Sequence, residues 1–142
     1  MTESKLRDSV GLLLIISHFV VIMVIIVLTL FLERFTFDEM TTAIALILPM
    51  FAVYTTVIIK HIIGNRENVN AAPKTVTRNF AFISFFLPIL FILAILLIVL
   101  SRSEKKGFEN FEQFKITLGI IESVFAIYVG QIINSLFKSK TN

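Results

Sequence analysis

The sequence predicts an all-α membrane protein, with four transmembrane helices in an antiparallel bundle assembled as a homo-oligomer. Three observations carry this. Of 142 residues, 56% are hydrophobic and only 16% charged, against about a quarter charged in an average soluble domain. The apolar residues collect in four blocks, each long enough as a helix to match a hydrocarbon core about 30 Å thick. The connections between blocks are short and polar, which leaves no length for a separate soluble domain, so 1–142 reads as a single transmembrane domain. Strands are excluded because an open sheet cannot satisfy its backbone in lipid. Short loops make sequential helices antiparallel neighbours.

The first span, 9–32, follows a short polar segment. A signal peptide has an apolar core of about 7–15 residues and a small-residue cleavage site. This block is longer and ends in Phe31-Leu32-Glu33-Arg34, so it reads as a retained helix. Midway along it stands His18, either a hydrogen-bonded structural residue or a pH-responsive group.

The second span, 41–63, places Thr42, Ala45, Pro49, Ala52, Thr56 and Lys60 at steps of three and four, which forms one small and polar helical face. Pro49 kinks it, as neighbouring helices in a membrane allow. Lys60 and His61 close the span and snorkel to headgroups. The stretch 64–79 is a polar loop, read as cytoplasmic. Its Arg66, Lys74 and Arg78 serve as positive-inside charge or as a docking surface for a cytoplasmic protein partner.

The third span, 80–100, is apolar all round, carries Pro88 near its middle and suits lipid contact best. After a basic turn, Phe108, Phe111 and Phe114 recur at steps of three and read as an anchor at the membrane interface. With no Trp in the chain, Phe builds most of any interfacial belt.

The fourth span, 115–137, is the most informative. Gly119, Glu122, Ser123, Ala126, Gly130 and Asn134 fall within roughly a third of the circumference at about 100° per residue, and Phe125, Val129, Ile132 and Leu136 are read onto the opposite face. Two readings are open. Small and polar residues glue helices together within one bundle. Alternatively Gly119, Glu122, Ser123, Gly130, Gln131 and Asn134 line an aqueous path or a subunit interface. An acid inside an apolar span is expensive. Glu122 is therefore an ion or proton site, or one of a ring of acids. Its bland counterpart is a buried carboxylate paired with Lys115 or bonded to hydroxyls of another helix.

Lys and Arg set the orientation. Lys5, Arg7, Lys60, Arg66, Lys74, Arg78, Lys138 and Lys140 fall on one side, and Arg34, Arg102, Lys105, Lys106 and Lys115 on the other. The bias places both termini in the cytoplasm of a multi-pass inner-membrane protein. The net charge of +3 is topological rather than a nucleic-acid footprint. The absence of Cys excludes disulfides, thiolate metal sites and cysteine nucleophiles. No hydrolase, metalloprotease or phosphate-loop motif occurs, and Ser17 and His18, adjacent on one helix, point apart. No enzyme, cofactor or metal is expected. The leading functional expectation is a homo-oligomeric ion channel or pore in the bacterial inner membrane, of a toxin-like or phage-defence kind opened by a partner. The alternative is a non-conducting anchor or sensor that recruits a cytoplasmic protein, and the third is a small proton-coupled exporter. Membrane lipid and copies of the chain are the expected partners.

The topology is checked by alkaline-phosphatase fusions. Fusions at residues 36 and 105 are expected to be active and a fusion at residue 70 silent; activity at 70 reverses the orientation.

Overall fold

The structure, a computed structural model, describes residues 1–65 and 75–137. Its helices are α1 (Glu3–Leu30), α2 (Phe37–Asn65), α3 (Arg78–Ser103) and α4 (Phe111–Phe137). All four are long and apolar enough to cross a membrane. Each begins before its apolar block because the residues ahead of it cap the free backbone donors of the first turn. The Thr2 hydroxyl accepts from the Lys5 amide, and the Thr77 hydroxyl from the Phe80 amide. The Asn110 side chain accepts from the Gln113 amide at 3.0 Å.

The α2 start is a full capping box. The Thr36 hydroxyl accepts from the Glu39 amide at 3.2 Å, and Glu39 Oε2 accepts from the Thr36 amide at 3.0 Å. Phe35 just before the cap and Met40 in the first turn are both buried in one apolar cluster, the arrangement of a hydrophobic staple.

Around the bundle the helices follow the order α1, α2, α4, α3. α1 and α4 each pack on α2 and α3, while α2 and α3 occupy opposite corners. The expectation that all sequential helices are neighbours is therefore corrected for α2 and α3. Residues 66–77 have ample reach to join diagonal corners at about 3.3 Å per residue.

The ends show which termini meet. Arg7, near the start of α1, donates to His61 Nε2 near the end of α2 at 2.9 Å. His61 is thus tied into the bundle rather than reaching for headgroups. Thr2 forms an isolated antiparallel bridge with Thr75, and the Val76 amide donates to the Met1 carbonyl. At the other end Arg102, near the end of α3, donates to Glu39 Oε1 at 2.6 Å. Its guanidinium also lies over the Phe111 ring, 5.9 Å from the centroid.

The Phe108, Phe111 and Phe114 series departs from its expected place at the interface. Phe114 is fully buried and touches Phe35, Phe108 and Phe111. The series plugs the Arg102 end of the bundle, because a step of three to four continues the buried stripe of α4 into its first turn.

Glu39 closes the capping box with one oxygen and the α2–α3 pair with the other. Thr36→Ala is expected to lower stability by about 1 kcal/mol. Glu39→Ala, which loses both interactions, is expected to lower it by about 2–3 kcal/mol. Unfolding in detergent measures both, and equal losses would show that the ion pair contributes nothing.

Candidate functional site

Buried residues recur along α1 at Leu6, Val10, Leu14, His18, Val21 and Ile25, and along α4 at Phe114, Leu118, Glu122, Phe125 and Val129. The steps of three and four are those of a core stripe. At one step in each helix the stripe is polar, at His18 and at Glu122. These steps coincide with a break in the core. Val21, Ile47, Ile92 and Leu118 belong to one apolar cluster, and Leu14, Tyr54 and Phe125 to another. Close to this break three helices bury a polar side chain: His18 from α1, Tyr54 from α2 at the edge of the second cluster, and Glu122 from α4, none more than 3% exposed. Ser84 is buried as well, in the first third of α3.

His18 joins three helices. Its ring stacks on Phe125 of α4 at 5.2 Å and meets Tyr54 of α2 edge-on at 5.0 Å. Its Nδ1 lies 3.1 Å from the Leu14 carbonyl. A carbonyl only accepts, so Nδ1 carries the hydrogen and the Nε2 of a neutral ring presents a lone pair. That Nε2 is buried with no hydrogen-bond partner among the described residues.

Glu122 is the most costly member of the layer. Both carboxylate oxygens are buried and neither has a hydrogen-bond partner among the described residues. Lys115 does not reach it and pairs with Glu112 at 2.7 Å. The Tyr54 hydroxyl, the Ser84 hydroxyl and the Thr55 hydroxyl are buried and unbonded in the same way. Glu122 lies within electrostatic reach of the Tyr54 hydroxyl. Pro88, also buried, has no amide hydrogen, so the Ser84 carbonyl one turn earlier loses its helical donor.

Outward-facing hydroxyls behave differently. Thr56 donates to the Ala52 carbonyl, Thr117 to Gln113 and Ser123 to Gly119, all at 2.7–2.8 Å. A hydroxyl that bonds its own helix needs no partner in lipid.

The residues singled out by sequence therefore separate. Glu122 points into the bundle with Phe125, Val129, Ile132 and Leu136, which corrects the expectation that these apolar residues cover the opposite face. At 100° per residue Glu122 stands on the border of the polar stripe, and packing draws it inward. Ser123 and Gln131 are exposed, and Gly119 and Gly130 are half-buried with open space beside their α-carbons. The Asn134 side chain lies outside the described residues. On α2 the small and polar face also turns outward: Pro49, Thr56 and Lys60 are exposed and Thr42 is half-buried. Arg78 is exposed at the start of α3; Arg66 and Lys74 lie outside the described residues. Sequence reasoning missed Tyr54 and Ser84. The signals were present, since Tyr54 is seven residues from Ile47 and four from Ile58, and Ser84 is one turn before Pro88.

A buried carboxyl group with no partner is costly to its fold. Glu122→Met is therefore expected to stabilise the bundle by about 1–3 kcal/mol, the usual cost of a buried unsatisfied polar group. A lower melting temperature in detergent would mark Glu122 as structural instead.

Comparison with protein-family models, curated proteins and solved structures yields no match for this chain.

Proposed function

We propose that this chain is a multi-pass inner-membrane protein, an antiparallel four-helix bundle that associates with copies of itself and passes small ions across the membrane. The observation that supports this is Glu122. It is an acid at the middle of an apolar bundle, with both oxygens buried and unbonded. Four packed helices gain nothing in stability from such a group. Intramembrane acids facing a bundle interior mark ion and proton paths. The path in this reading runs within each protomer, at the level of His18, Tyr54 and Glu122. The meeting of helix ends through Arg7–His61 and Glu39–Arg102 supports the alternation of helix directions. The positive-inside bias supports cytoplasmic termini.

Association is supported by the outer surface. α2 turns Ala45, Pro49, Ala52 and Thr56 outward. On α4, Gly119, Ser123 and Gly130 are open to the outside or half-buried. These two helices are neighbours, so two small-residue faces belong to adjacent helices. Small residues let helices of different protomers approach closely.

Ion flux into liposomes tests the reading. Wild type is expected to conduct, and Glu122→Gln to lower the flux by about tenfold or more, a barrier rise of at least about 1.4 kcal/mol. Unchanged flux in the variant removes Glu122 from the path. Absence of flux in wild type rejects ion passage.

A further inference from the structure

We propose that the ion is the proton, and that a single protomer binds it on Glu122 inside an occluded polar layer that also holds Tyr54 and His18. This rests on the reading of Glu122 as the ion-passing group.

The layer is rich in acceptors. Glu122 offers two carboxylate oxygens, and His18 offers the Nε2 lone pair fixed by the Nδ1 bond to Leu14. The neutral donor of the layer is the Tyr54 hydroxyl. A proton on Glu122 corrects this imbalance in two ways at once. It converts an unpaired buried anion into a neutral acid, and it adds a donor where acceptors are in excess.

Metal cations fit the layer poorly. A calcium ion takes six to eight oxygen ligands and magnesium a near-ideal octahedron. Among the described residues no three His, Cys, Asp or Glu side chains come together. The walls of the layer are rings, with Phe51 and Phe125 against His18 and Phe91 against Phe125. Aromatic walls offer no oxygen to replace a hydration shell, whereas a proton needs none.

The other buried titratable groups of the layer are His18 from α1 and Tyr54 from α2. α3 contributes none between Arg78 and Arg102. On α4 itself Tyr128 is engaged, its hydroxyl donating to the Ile83 carbonyl at 2.9 Å. The Tyr54 ring meets the His18 ring edge-on at 5.0 Å, and its hydroxyl is within electrostatic range of Glu122. The step is one proton on and one proton off the carboxylate, with no bond between heavy atoms made or broken.

The test pairs pH-difference infrared spectroscopy with flux measurements on the full chain in lipid vesicles. Wild type should show one buried carboxylic-acid band that grows as pH falls, vanishes in Glu122→Gln and shifts in Tyr54→Phe. Proton flux should be the same in potassium, sodium or choline buffers and fall about a hundredfold in Glu122→Gln, as for loss of a positioned proton-transfer group. A missing band in wild type, a band that survives Glu122→Gln, or flux carried by potassium or sodium without protons overturns the proposal. Metal-ion flux lost in Glu122→Gln without a titrating band leaves ion passage standing and removes the proton. A titrating band with no flux of any ion keeps the proton site and removes ion passage. Should Glu122→Gln not assemble, Tyr54→Phe decides, because an unshifted band separates Tyr54 from the acid and overturns the site.

Discussion

A carboxylate in the middle of an apolar bundle sets the terms for everything around it. Charge in a low-dielectric interior interacts strongly and is costly to leave unpaired. The chain answers by confinement rather than by pairing. Lys115, the nearest cation on the same helix in an earlier turn, is turned away to Glu112. Apolar clusters close the polar layer from both sides, and His18 fixes three helices at its level through ring contacts. The result is a polar level where two apolar clusters meet.

The rest of the bundle is held from its ends. Arg7 and His61 join α1 to α2, and Glu39 and Arg102 join α2 to α3. Both pairs sit where long side chains have partial access to water, so the cost of removing charge from solvent is smaller than at mid-depth. Glu39 serves the helix start and the inter-helix pair together, which couples the local fold of α2 to the position of α3. The prolines fall in the middle, where helix hydrogen bonding is interrupted.

Much of this was legible in residue order. Block length and polarity located the four spans to within a few residues, because an apolar helix must match the thickness of hydrocarbon. His18 and Glu122 stood out because polar side chains are rare in such blocks. The overshoot at helix starts went unread, although Thr36-Phe37-Asp38-Glu39 carries the local pattern of a capping box. Other features were beyond local reading. The face of α4 that bears Glu122 is ambiguous by periodicity, as the residue lies on the border between polar stripe and apolar stripe. The direction of the small and polar α2 face with Pro49 and Thr56 was not set by its pattern; it turns outward, where Thr56 satisfies its hydroxyl on its own helix.

By itself the sequence determined the all-helical class and the number of helices long and apolar enough to cross a membrane, since both follow from block length and composition. Only the tertiary structure decided that α2 and α3 stand at opposite corners, that the Phe series plugs one end, and that Tyr54 is buried against the His18 ring. Helical period says which residues share a face. Which faces meet depends on the packing of all four helices at once, and that information is spread over residues far apart in the chain.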